Sequence, residues 1–68
     1  MKNKNDSNEL GYGILCPVCG KYTFEFDFDI CPICDWESDP IQNINHDYAG
    51  GANNMSVNEA RKAYKESL

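Results

Sequence analysis

Basic residues are scarce in this chain of 68 residues. Six Lys and Arg stand against 11 Asp and Glu, which gives a net charge of −5. Affinity for nucleic acid comes largely from Lys and Arg side chains that neutralise phosphates, so this composition disfavours a nucleic-acid-binding protein. An acidic surface is better suited to a basic protein partner, since opposite charge steers two proteins together.

Long apolar segments are also missing. No stretch approaches the roughly 20 apolar residues that a membrane-spanning helix needs. Residues 1–13 include two lysines but lack the apolar run of a secretory signal. We therefore expect a cytoplasmic protein that has no membrane contact. Residues 1–9, which are rich in Asn, Asp and Lys, predict a disordered tail, and residues 10–68 are expected to form a single domain.

The residue combinations of common catalytic sites cannot be assembled from this sequence. His46 is the only histidine, and no serine or free cysteine accompanies it in the pattern of an activated nucleophile. Gly50 and Gly51 lack both the spacing and the lysine of a phosphate-binding loop. We therefore expect that the protein is not an enzyme.

The chain does contain four cysteines in two closely spaced pairs. The pairs read CPVC at residues 16–19 and CPIC at residues 31–34. Two intervening residues let the backbone curl so that both sulfurs of a pair face one ion, and four thiolates form a closed tetrahedral zinc site. Structural disulfides are rare in the cytosol. The spacing therefore predicts one Zn²⁺ bound by Cys16, Cys19, Cys31 and Cys34.

Iron is the rival metal, because tetrahedral sulfur suits both zinc and iron. A small, acidic and aromatic chain would then be a rubredoxin-like electron carrier. However, 11 residues separate the two pairs, whereas rubredoxin-like chains place much more sequence there. Zinc is therefore the favoured metal.

The segment between the pairs predicts a chain reversal. Apolar and polar residues alternate from Tyr22 to Ile30, as in a strand. A straight strand would hold Cys19 and Cys31 about 40 Å apart, which is too far for one metal. We therefore predict a β-hairpin whose tip is Phe24-Glu25-Phe26. The residues predicted to face the core are Tyr22, Phe28, Ile30 and Trp36.

Two groups of side chains are candidates for binding a partner. Phe24 and Phe26 would lie near the hairpin tip, where either the 37–55 loop or the helix covers them or they form an exposed aromatic patch for a partner. Asp35, Glu37 and Asp39 alternate as calcium ligands do, but a proline follows where such a loop needs glycine. We therefore interpret the three carboxylates as a solvated surface that could dock a basic partner.

The C-terminal third predicts a loop followed by a helix. Ser56 and Glu59 fit a capping box, and an apolar stripe follows it, so we predict a helix at about residues 56–67. Residues 37–55 predict a long ordered loop, held on the core by Ile41, Ile44 and Tyr48. The predicted fold is a small metal-stapled α+β domain. It combines a zinc-ribbon-like or rubredoxin-like knuckle pair, a β-hairpin, a long ordered loop and one C-terminal helix.

Several motifs, in order along the chain, resemble the bacterial cysteine-rich CPCC domain. They are CPVCG at 16–20, ICPICDWE at 30–37, DPIQ at 39–42, DYAGGAN at 47–53 and SVNEAR at 56–61. The resemblance covers about residues 14–66. It implies a small zinc-binding domain of unestablished role, with the four cysteines as ligands. Val18 stands where many relatives have a further cysteine, which supports a site of four ligands.

The resemblance also marks signature positions outside the cysteines: Trp36, Tyr48, Gly50, Gly51, Asn53 and Arg61. From these we expect a structural role in tying the loop to the metal site. Tyr48 and Asn53 would do so through hydrogen bonds, and Arg61 would bridge to Asp35, Glu37 or Asp39.

The expected function is that of a non-catalytic zinc module. It would bind another protein through its acidic and aromatic surface, and a sharper version is that it neutralises a basic partner. The alternatives are the iron electron carrier and a zinc-ribbon nucleic-acid adaptor. The adaptor would have to concentrate Lys21, Arg61, Lys62 and Lys65 on one face despite the net negative charge.

Overall fold

Two tight hairpins, each closed by one β-bridge and each containing one cysteine pair, bring the four cysteines of the described chain together. The computed structural model describes residues 13–68; the tail predicted at residues 1–9 lies outside them. The described residues contain helices α1 (Pro40–Ile44) and α2 (Val57–Glu66). Their β structure consists of two isolated antiparallel bridges, Leu15 with Thr23 and Ile30 with Glu37.

The first hairpin encloses the first cysteine pair, and we refer to residues 15–23 as knuckle 1. The Cys16 N–H donates to the Tyr22 carbonyl at 2.8 Å, and the Gly20 N–H donates back to the Cys16 carbonyl at 2.9 Å. Gly20 has a φ of 68°, a left-handed conformation that glycine adopts without steric cost. The turn therefore places both sulfurs of the pair on the same side.

The second hairpin repeats this arrangement at residues 30–37, which we call knuckle 2. The Cys31 N–H donates to the Trp36 carbonyl at 2.8 Å, and the Asp35 N–H donates to the Cys31 carbonyl at 2.8 Å. Asp35 stands at the position that corresponds to Gly20 and has the same left-handed conformation, with a φ of 70°. Asp tolerates this region better than most residues, so the two knuckles share a conformation without sharing a residue here.

The single hairpin predicted between the cysteine pairs is wrong. Thr23 pairs with Leu15, and Ile30 pairs with Glu37. The physical reason is that each pair closes a hairpin with residues on its own outer flank, so the middle segment has partners beyond the run that the prediction considered. The segment leaves knuckle 1, turns at residues 26–28 and enters knuckle 2.

This turn also changes which aromatic residues are buried. Phe24 is only 1% exposed, whereas Phe28 and Ile30 are 49% and 55% exposed, so the core prediction is wrong for the last two. Phe24 is held inside because its N–H donates to the Ile14 carbonyl at 2.9 Å. The alternation then fails because Phe28 has a positive φ of 63°. Among residues 13–68, the buried apolar side chains are Cys16, Phe24, Cys31, Trp36 and Val57.

The segment predicted as one long loop contains helix α1. Asp39 caps the helix and Pro40 starts it, a combination that satisfies the first amides and presets φ. Ile41, Ile44 and Tyr48 are all exposed, so they do not hold this segment on the core as predicted. That role belongs to Gln42, which is fully buried.

Helix α2 lies where the sequence predicts a helix. Ser56 and Glu59 form the capping box: the Glu59 N–H donates to the Ser56 hydroxyl at 3.1 Å, and the Ser56 N–H donates to the Glu59 carboxylate at 2.9 Å. Val57 is fully buried. No helix among residues 13–68 is both long enough and apolar enough to cross a bilayer.

Candidate metal centre

The four cysteines converge at one point between the two knuckles. Their Sγ atoms all lie within 4.8 Å of one another. Sulfurs of different knuckles lie close together, with 3.5 Å from Cys16 to Cys34 and 3.6 Å from Cys19 to Cys31. Sulfurs placed about 2.3 Å from a central ion in a tetrahedron are about 3.8 Å apart. The thiols therefore fit a single metal ion.

Backbone amides point at the sulfurs and help to hold them in place. The Ile33 N–H donates to the Cys31 Sγ at 3.4 Å. In knuckle 1, the backbone N–H groups of Val18 and Cys19 act to lower the pKa of Cys16. Such bonds favour the charged thiolate, which is the form that binds metal.

Burial opposes this effect, and the net shift in pKa differs from one thiol to another. It raises the pKa of Cys16 and of Cys34. Burial also acts to raise the pKa of Cys31, but the amides of Cys34 and Ile33 outweigh it, so the net pKa is lowered. Thiols with raised pKa values keep their protons at neutral pH until a metal displaces them. Metal binding at this centre is therefore coupled to proton release.

The centre has no competitor in the part of the chain that the structure describes. Among residues 13–68, the cysteines are the only group of three or more His, Cys, Asp or Glu side chains placed to share an ion. His46 lies elsewhere, where its Nε2 is 3.0 Å from the Asn43 carbonyl oxygen. The geometry therefore assigns metal binding to the cysteines alone.

Asn53 connects the loop before α2 to knuckle 2. Its Oδ1 accepts from the Glu37 N–H at 2.9 Å, and its Nδ2 donates to the Glu37 carbonyl at 2.8 Å. The side-chain amide thus pairs with Glu37 as the backbone of a neighbouring strand would. Because Glu37 also pairs with Ile30, Asn53 extends the hairpin that carries the second cysteine pair.

Gln42 holds the loop before α2 in place, and the sequence did not predict this role. Its Nε2 lies 3.0 to 3.1 Å from the carbonyl oxygens of Tyr48, Asn53 and Met55. Its Oε1 accepts from Asn53, at 3.0 Å from the backbone N–H and at 2.8 Å from Nδ2. One buried amide therefore organises residues 48–55. The motif DPIQ contained the signal, but a polar residue is normally expected at the surface.

Asp39 belongs to the same buried network. Its Oδ1 caps α1, and its Oδ2 accepts from the Ala52 N–H at 2.9 Å. The prediction that Asp39 faces a partner is wrong, because the side chain is buried and committed to these amides. Gly51 packs against this carboxylate so closely that a Cβ there would lie 2.6 Å from Oδ2.

The remaining signature residues have separate structural contacts. Trp36 is buried, and its indole N–H donates to the Asn43 Oδ1 at 2.9 Å. Tyr48 contributes its backbone carbonyl to Gln42, while its side chain is exposed. Arg61 does not bridge to a carboxylate as predicted; its Nε donates to the Pro17 carbonyl at 2.6 Å and so connects α2 to knuckle 1.

The residues predicted to bind a partner differ in how exposed the structure leaves them. Phe24 is in the core and cannot form an exposed surface, so the prediction is wrong for this residue. Phe26 and Asp35 are exposed, and Glu37 is half-buried. A partner-binding role for these three stays a prediction.

Paired knuckles that bring four thiols to one point define a metal-binding module. The particular family follows from comparison with known proteins. The model of the Cysteine-rich CPCC family matches residues 14–67, so the chain belongs to this family, as the sequence motifs predict. A search of curated proteins finds no match.

Proposed function

We propose that the chain is a structural zinc module without a catalytic role. The observation that carries this proposal is the uniform ligand set, since all four side chains that converge within 4.8 Å are cysteines. Four thiolates complete the coordination shell of zinc and leave no position for a water molecule. This is the arrangement of structural sites rather than hydrolytic ones.

The small core supports a structural role for the metal. Apart from cysteines, the buried apolar side chains of the described residues are Phe24, Trp36 and Val57. A chain of this length rarely gains more than about 3–5 kcal/mol from its core. A structural zinc site contributes about 10–16 kcal/mol in apparent terms. Bound zinc would cross-link knuckle 1 to knuckle 2, and the fold would depend on it.

Removal of the metal tests this dependence. We expect a chelator at neutral pH to abolish the near-ultraviolet circular dichroism of the buried Trp36, and zinc to restore it. A Cys34→Ser variant should need far more zinc for the same signal, whereas the exposed Ser67→Ala variant should behave like the parent. A metal-free protein that keeps its full tertiary signal would overturn the proposal.

Colour and metal content separate zinc from iron. Both metals accept tetrahedral sulfur, so the same thiols would serve an electron carrier. We expect protein purified without added metal to be colourless and to contain zinc. A coloured protein with reversible one-electron reduction would replace the zinc module by the iron carrier.

We further infer that the module acts in the cytoplasm by binding a basic protein. The charge pattern supports this inference, because no Lys or Arg occurs between Lys21 and Arg61. The carboxylates of that stretch are Glu25, Asp27, Asp29, Asp35, Glu37, Asp39, Asp47 and Glu59. Zinc-loaded protein should retain basic partners that moderate salt elutes, and Phe26→Ala should weaken their capture. Retention that ignores both salt and this change would contradict the inference.

One pair of contacts favours a second candidate, the nucleic-acid adaptor. Lys21 Nζ lies 6.0 Å from the centroid of the Tyr64 ring, and Arg61 contacts Pro17. These contacts bring cations of knuckle 1 and α2 together. Binding of a single-stranded oligonucleotide that falls steeply with salt and is lost in a Lys21→Gln, Arg61→Gln variant would support the adaptor. No binding at low salt would remove it.

A further inference from the structure

Two aromatic rings stand exposed on the turn between the knuckles. Phe26 and Phe28 are each 49% exposed, although the buried core has few large apolar side chains. The Asp29 N–H donates to the Phe26 carbonyl at 3.2 Å and closes the turn. We call residues 26–28 the aromatic turn. Contiguous exposed apolar patches mark interaction sites, and these two rings lie two residues apart on one turn.

The aromatic turn is held in an unfavourable backbone conformation. Phe28 has a φ of 63°, which a bulky side chain rarely adopts. Its N–H donates to the Ser38 carbonyl at 2.7 Å, which fixes the turn to the residue that follows knuckle 2. The buried Asp29 carboxylate accepts from the Glu25 N–H at 3.0 Å and from the Tyr22 hydroxyl at 3.1 Å. Strain maintained by surrounding contacts is a frequent property of functional sites.

Negative charge accompanies the rings. Asp27 lies between them and Glu25 precedes them, and no described cation lies nearer along the chain than Lys21. The Asp27 Oδ1 is buried without a hydrogen-bond partner among residues 13–68. Asp27 as a whole is only half-buried, and its carboxylate therefore retains hydrogen-bonding capacity for a donor.

We propose that the aromatic turn docks an arginine-bearing segment of a partner protein. A guanidinium can stack on a phenylalanine face while its N–H groups bind a neighbouring carboxylate. The apolar stem of the arginine covers the second ring. This inference rests on the proposed function and narrows it, since it names both the surface and the partner's side chain. Arginine is preferred to lysine because its planar fork fits stacking and carboxylate binding together.

A peptide titration followed by amide NMR tests the proposal. The probe is a short peptide with the repeating order Arg-Gly-Leu-Gly. Matched peptides carry Lys or Gln in place of Arg. We expect shifts centred on residues 25–29, strongest for Arg, weaker for Lys and absent for Gln. Added salt should reduce the Arg affinity, since surface charges are screened.

Phe28→Gly separates binding from stability. Glycine accepts the positive φ, so thermal stability should stay the same or rise, while Arg-peptide affinity falls about two- to fivefold for the lost ring. A Phe26→Ser, Phe28→Gly double variant should lose binding. The matched control is Ile44→Ser at another exposed apolar side chain, which should bind like the parent.

Three results of the peptide titration would overturn the inference. They are equal affinity for the Arg and Gln peptides, shifts centred outside the aromatic turn, and unchanged binding by the double variant. Shifts in the turn caused by an oligonucleotide rather than the Arg peptide would also overturn it. Metal content and the folded spectrum are measured first on the same sample. A folded, zinc-loaded protein that ignores the Arg peptide therefore counts against this inference and not against the zinc module.

Discussion

Replacement of Gln42 by leucine should detach the loop before α2 from the rest of the fold. The two side chains are similar in size, so Gln42→Leu removes hydrogen bonds and leaves little cavity. The change deprives the carbonyls of Tyr48, Asn53 and Met55 of their shared donor. It also removes the acceptor of the Asn53 backbone N–H and one of the two acceptors of its Nδ2, which keeps its bond to the Glu37 carbonyl.

The expected magnitude follows from the number of bonds. The Gln42 amide carries two protons and accepts two bonds, so about four hydrogen bonds are lost at about 1 kcal/mol each. We therefore expect a loss of about 4 kcal/mol in the free energy of opening this loop. That is as large as the contribution expected from the whole apolar core.

Native-state hydrogen exchange on zinc-loaded protein measures this loss. The reporter is the Ala52 N–H, which donates to Asp39 and not to the mutated side chain. Its exchange should accelerate about a thousandfold, since each 1.4 kcal/mol is a factor of ten. Asn54→Leu, at an exposed residue of the same loop, is the matched control and should change little. A loss below about 1 kcal/mol in Gln42→Leu, no more than one ordinary hydrogen bond, would refute the assigned role.

Two further predictions concern glycine and pH. Gly51→Ala should lower the melting temperature more than Gly20→Ala. The new Cβ at Gly51 would lie 2.6 Å from Asp39 Oδ2. At Gly20 the added Cβ has open space, and only the positive φ opposes it, at a cost of about 1–2 kcal/mol. Equal losses of melting temperature in the two variants would contradict this account. Zinc affinity should rise with pH, because burial raises the pKa of Cys16 and Cys34 and protons compete with the metal below those pKa values. Calorimetry in buffers of different ionisation enthalpy should detect proton release on zinc binding, and an affinity independent of pH would contradict it.

Local patterns predicted the parts of the molecule whose partners are close in sequence. The Cys-x-x-Cys spacing identified the thiols that converge, because two residues suffice to curl the backbone. The capping box of Ser56 and Glu59 located the start of α2 for the same reason. The Asp39-Pro40 signature was equally local, and attention to it would have predicted α1.

Apart from α1, the failures involve contacts or backbone conformations that the local pattern does not encode. Thr23 could have paired with Asp27 by its alternation pattern, but Leu15, outside the cysteine pair, is its actual neighbour. The turn at Phe28 reverses the burial pattern through one positive φ. A glycine at this position would have indicated such a conformation, but the residue is a phenylalanine. Gln42 is buried because five hydrogen-bonding groups surround its amide. The hydropathy of the sequence does not predict such a cluster.

The coordination of the metal is the central claim, and X-ray absorption at the zinc edge tests it most directly. The measurement should be made on protein purified with its native metal, after its metal content has been determined. The account predicts one zinc per chain with four sulfur neighbours at about 2.3 Å. A shell in which nitrogen or oxygen replaces any of the sulfurs, or a protein that folds without stoichiometric metal, would contradict it.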